Sequence, residues 1–145
     1  MGYQLVVWEG EKPESDAAAG ERCRELMSTY FVGEGVEPTP AIAEFVAALT
    51  AIWPDDGTDF DAVPWKWTQL IEEASGPVLF LNMRFGMGER VSFQIAEMAE
   101  ARGLVTFDTY IQVMRPCPQK VVDQWTRQQW AHVVSLLSQH HHGVS

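Results

Sequence analysis

Basic residues are scarce in this 145-residue chain: ten Lys and Arg stand against twenty Asp and Glu, a formal net charge of −10. Nucleic acid and anionic membrane surfaces repel such a polyanion, which argues against either as the main partner. Long apolar runs are missing as well, and none approaches the ~20 residues needed to cross a bilayer. No cationic stretch precedes the apolar residues after Met1-Gly2-Tyr3-Gln4, so the N-terminus does not read as a secretory signal. There are two cysteines, Cys23 and Cys117, far apart and without metal-ligand spacing. In a chain lacking a secretion signal they are expected to be free thiols. Histidine is confined to residues 132–145, which leaves no Ser-His-Asp or Cys-His constellation and no catalytic residue to name.

What is present belongs to an ordinary globular protein: 46% of residues are apolar and 21% charged, enough to bury a core in one domain. The expectation is a cytoplasmic, acidic α+β protein. Gln4–Trp8 is a short apolar run stopped by Glu9-Gly10, which suits a buried first strand. Ser15-Asp16 reads as a helix N-cap, followed by Ala19, Cys23, Leu26 and Tyr30 at helical spacing and ended by Gly33 and Gly35. Thr39-Pro40 opens a second helix with Ile42, Phe45, Val46, Leu49 and Ile52 on one face, and Pro54 stops it. Trp67–Ile71 suggests a short strand. Val78–Phe85 is the clearest strand of the chain. Gly86-Met87-Gly88 turns into a third helix over 89–102, with Gly103 as its C-cap. Leu104–Phe107 is a further strand, and Tyr110–Met114 either extends it or forms another.

A final helix over 119–139 carries Val122, Trp125, Val133 and Leu136 along one side. These elements predict a core over residues 1–115, with residues 116–145 appended to the same domain. The order matches a ferredoxin-like split β-α-β arrangement, a mainly antiparallel sheet with helices on one face. The first and last strands then pair antiparallel, which separates the strand-end residues Glu9 and Asp108.

The acidity is uneven. Residues 1–100 hold eighteen carboxylates against six cations, whereas residues 101–145 hold two against four. The segment 34–73 is densest, with nine carboxylates and only Lys66 opposing them. Trp53, Phe60, Trp65 and Trp67 are interleaved there. One reading is a solvated loop whose tryptophans fold back into the core. The other is a docking surface in which Trp anchors supply area and carboxylates steer encounter with a basic protein. On that reading Trp53, Asp55, Asp56, Asp59, Asp61, Trp65 and Trp67 form the contact surface.

Other candidates are weaker. Gly86-Met87-Gly88 lacks the third glycine of a dinucleotide loop and the Gly-Lys-Ser/Thr of a phosphate loop, so it reads as a tight turn. Asp55–Asp61 alternates oxygen ligands but lacks the spacing and closing Glu of a calcium loop, so no metal is assigned. Carboxylate pairs such as Asp59 with Asp61 arise by composition in so acidic a chain. His140-His141-His142 would project about 100° apart on a helix and cannot converge on one ion; His132 reads as a packing residue. No cofactor is expected.

Tyr3–Gly10, Pro38-Thr39-Pro40, Trp53-Pro54-Asp55, Pro64-Trp65, Gly76-Pro77 and Gly103–Asp108 occur in that order. Together they resemble a family of small bacterial proteins, some of whose members are similar to immunity proteins against polymorphic or contact-dependent toxins. The resemblance spans about residues 3–108. Family members often continue the last strand as Asp-Pro-Gln, where this chain has Asp108-Thr109-Tyr110. The resemblance implies no catalytic residues. The acidic segment 34–73 with its aromatic residues, on a chain without catalytic motifs, favours a binding protein that neutralises a cognate basic toxin, acting as monomer or homodimer. The alternative from another class is a small-molecule-binding domain or enzyme, with Trp8, Trp65, Trp67, Asn82 and Arg84 lining a pocket between the sheet and the Trp-rich loop.

Overall fold

The computed structural model describes residues 2–66 and 69–118 together with Val121, Asp123 and Gln124. Trp67, the helix expected over 119–139, His132 and the 140–142 histidine run fall outside the described residues or almost entirely so. The elements are β1 (Gly2–Glu9), α1 (Asp16–Tyr30), α2 (Pro40–Ile52), β2 (Ala74–Ser75), β3 (Val78–Arg84), α3 (Met87–Ala101), β4 (Leu104–Asp108) and β5 (Val113–Arg115). The chain is α+β, with one five-stranded antiparallel sheet in the order β2-β3-β1-β4-β5.

β1 lies in the middle, paired with β3 through Leu5↔Leu81 and with β4 through Leu5↔Asp108 and Glu9↔Leu104. Glu9 and Asp108 therefore stand at opposite ends of one strand pair, as expected. Successive residues of a strand point to opposite faces. Leu5 and Val7 join Ile42, Phe45 and Leu49 of α2 and Ile95 and Ala99 of α3. Val6 and Trp8 join Ala19, Cys23 and Leu26 of α1 on the other side. The helices thus cover both faces, not the single face expected. The unbroken run Leu5-Val6-Val7-Trp8 has its reason here: a strand buried on both faces has no solvent side to make polar. Each such buried side chain contributes roughly 1.5–3 kcal/mol.

Local chemistry sets the helix starts. Ser15 Oγ accepts from Ala18 N at 3.1 Å, and Thr39 Oγ1 accepts from Ile42 N at 3.3 Å ahead of Pro40. α3 starts at the tight turn expected at Gly86, whose φ of 91° suits glycine. Gly88 is buried where α3 presses on the sheet; a Cβ added there would meet Met83 Cβ at 2.7 Å and Tyr3 Cβ at 3.2 Å. Gly88→Ala is expected to lower stability by about 1–3 kcal/mol through overpacking. A urea midpoint unchanged from wild type would show instead that α3 shifts freely.

Gln69–Ile71, the described part of the strand expected at Trp67–Ile71, is not a strand. Gln69 adopts a left-handed conformation (φ 60°) and Leu70–Glu73 is a 3₁₀ turn, so this part coils into the short β2. Tyr110–Met114 resolves into a turn through Gln112 (φ 57°) followed by β5. Both cysteines are free. Burial pushes the Cys23 thiol up to about 11, so it is a packing residue at neutral pH.

The α3 side of the sheet also contains charge. Asp108 and Arg115 have fully buried side chains, with Arg115 Nη1 donating to Asp108 Oδ2 at 3.0 Å. Tyr3 donates its hydroxyl to the same Oδ2. Asp108 Oδ1 accepts from Tyr110 N at 2.9 Å and Ile111 N at 3.2 Å, closing the turn after β4. Arg115 Nη2 donates to Ser92 Oγ of α3 at 3.0 Å.

Candidate functional site

The site is built on the segment from the end of α2 to β3. Trp53 caps α2, its N–H bonded to Leu49 O at 2.9 Å. Pro54 then prevents further helix. Asp55 braces the loop: its Oδ2 accepts from Leu70 N at 2.6 Å and its carbonyl from Gln69 N at 3.0 Å. Asp56 makes a local turn, its Oδ1 accepting from Thr58 N at 3.0 Å and Thr58 Oγ1 at 2.5 Å. The Thr58 hydroxyl and then its backbone N–H hold the Asp56 carboxyl below the usual carboxylate range. Asp59 lies in the left-handed region (φ 52°) and leads into a 3₁₀ turn, Phe60–Ala62.

The far end of the loop returns to the sheet. Arg84 N donates to Pro64 O at 2.8 Å and Lys66 N to Asn82 O at 3.1 Å, so residues 64–66 extend the sheet beyond β3. Trp65 bridges Met83 there and points into the core with α2 and α3. Its Nε1 donates to Trp53 O at 2.7 Å, and the two indoles meet edge to face at 6.1 Å.

Of the expected contact residues, Asp56, Asp59 and Asp61 are exposed together on the loop. Trp53 and Asp55 are half-buried. Trp65 is 1% exposed, which corrects its placement on a contact surface: hydrophobic burial and its indole hydrogen bond make it a core plug. Trp67 lies outside the described residues. Phe60, on the same loop, is 40% exposed. The Arg84 guanidinium lies 4.7 Å from its ring centroid. Arg84 Nη2 also donates to Phe60 O at 2.7 Å and to Val63 O. Its Nη1 stands 3.7 Å from Asp61 Oδ1, whose side chain is fully exposed, so this pair contributes little stability. A lone Arg at the end of a strand carried no sequence signal for this clamp.

The alternative pocket is not assembled. Trp8 and the β3 position of Asn82 belong to the α1 side of the sheet, whereas Trp65 lies on the α2–α3 side. A sheet stands between them. Among the described residues, no group of three or more His, Cys, Asp or Glu is placed to hold a metal ion, because the carboxylates of residues 55–61 are engaged separately or face solvent. No described helix is long and apolar enough to cross a membrane. Comparison with protein-family models, with curated proteins and with solved structures finds no match.

Proposed function

We propose that this chain is a non-enzymatic acidic binding protein of the immunity type, which neutralises a cognate basic toxin in the cytoplasm by docking through loop 53–61. The observation that carries the reading is the loop itself. Asp56, Asp59 and Asp61 face solvent around the exposed ring of Phe60, on a segment braced at one end by Asp55 and at the other by Arg84. Exposed carboxylates raise the encounter rate with a basic surface, while a pre-ordered aromatic ring resists dissociation. The net charge of −10 acts in the same direction.

The two contributions separate kinetically. A pull-down from native lysate at low and high salt identifies the basic partner. Against it, the triple substitution Asp56→Asn, Asp59→Asn, Asp61→Asn is expected to slow association at least ~tenfold and to remove most of the salt dependence. Asp55 stays unchanged in that variant because it holds the loop. Unchanged association kinetics would overturn the reading.

A further inference from the structure

We infer that one buried water molecule bridges Arg115 Nε and Thr106 Oγ1 in the layer between the sheet and α3. Both atoms are buried without a hydrogen-bond partner, in residues that are 4% and 1% exposed. They are neighbours by register: Thr106 and Arg115 are directly paired across β4 and β5. Paired residues of antiparallel strands point to the same face, with Cβ atoms about 4.5–5.5 Å apart. That face is the α3 side, since Arg115 Nη2 reaches Ser92 Oγ.

The nearby hydroxyl hydrogens are already committed, Ser92 to Glu89 O and Tyr3 to Asp108. Ser92 Oγ accepts from Arg115 and donates to Glu89 O at 2.7 Å. Arg115 Nη1 is divided between Asp108 Oδ2 and, at 3.2 Å, the Tyr3 hydroxyl. Nε–H needs an acceptor, and the threonine hydroxyl can donate or accept. Leaving both unmade in a dry interior is costly, and native proteins satisfy such groups with ordered water.

Charge selects the ligand. Asp108 balances Arg115, and Tyr3 retains its proton because burial first, and then Asp108, disfavour the phenolate. The layer is therefore neutral. An anion at Nε would leave an uncompensated buried negative charge, and a cation would face the guanidinium. A small neutral molecule that both accepts and donates fits, and water is the one always at hand.

A high-resolution crystal structure of the full chain is expected to show one water within about 2.7–3.2 Å of both atoms. A direct Nε–Oγ1 hydrogen bond, or no density between them, would overturn the assignment. Water ¹⁷O relaxation dispersion gives a solution test. Wild type and Thr106→Ser should show the same number of long-lived waters, and the near-isosteric Thr106→Val one fewer. Equal numbers in all three would also overturn it.

Discussion

Asp108→Ala is expected to cost about 3–5 kcal/mol of folding stability, because it leaves the Arg115 guanidinium buried and uncompensated. For a chain of this size that is a fall in melting temperature of roughly 6–20 °C. The residue is the junction of the α3-side polar layer. One carboxylate oxygen receives Tyr3 and Arg115, and the other receives the backbone of Tyr110 and Ile111. Its loss removes the ion pair and the turn brace together. Arg115→Met alone should also destabilise by several kcal/mol, since it leaves a buried carboxylate that has lost its cation. The double variant Asp108→Leu with Arg115→Met should recover a large part of the loss, because two apolar groups need no partners. Urea denaturation of wild type, Asp108→Leu, Arg115→Met and the double variant closes this cycle. Single variants within about 1 kcal/mol of wild type would mean that solvent reaches the pair.

The same layer gives the protein an alkaline limit. Burial and Asp108 raise the Tyr3 phenol above its ordinary value of 10.0, so the folded state holds that proton more tightly than the unfolded chain. The resulting stability is complete below about pH 10 and is lost as pH rises beyond it. Cys23, raised from 9.0 to about 11, adds a loss of the same sign between those values. Tyr3→Phe should therefore flatten the alkaline fall in stability while lowering stability at neutral pH.

Trp65→Ala is expected to cost about 3–5 kcal/mol, the range for deleting a buried aromatic side chain. Trp65 fills the space between α2 and the β3 end of the sheet, and its indole N–H holds the Trp53 carbonyl at the start of the acidic loop. Two measurements separate its role from that of the surface carboxylates. Trp65→Ala should unfold at markedly lower denaturant concentration than wild type. The Asp56, Asp59 and Asp61 triple variant should keep its unfolding free energy within about 0.5 kcal/mol of wild type, as surface substitutions usually do. If Trp65→Ala were instead thermodynamically neutral and sped dissociation of the partner, the indole would belong to the interface.

Much of the architecture was legible in the residues. The capping hydroxyls of Ser15 and Thr39, the proline at 40 and the glycines at 86 and 103 are local signals. Local backbone chemistry sets helix ends wherever the helix later packs, so α1, α2 and α3 fell close to their expected ranges. The run from Leu5 to Trp8 announced a buried strand and Val78–Phe85 a second, while their pairing came from the fold. Over Gln69–Ile71 the expected strand gives way to a coil whose direction is set by a left-handed Gln69 and by Asp55 reaching across to Leu70 N. That hydrogen bond joins residues distant in sequence, and no periodicity contains it.

The clustering of carboxylates at residues 55–61 and the net charge are properties of composition, so the sequence by itself determined the acidic character and the place of the candidate loop. It also determined the helix starts, since a cap needs only its own three or four residues. The tertiary structure alone decided which aromatic side chain is presented and which is consumed: Trp65 is drawn inward by its pairing with Met83, while Phe60 is left outside on Arg84. It alone decided that α1 crosses to the opposite face from α2 and α3, and that Asp108 meets Arg115 and Tyr3 in the interior. The physical reason is common to all of these. Burial and ion pairing depend on distances between elements far apart along the chain, whereas caps, turns and charge density are written within a few neighbouring residues.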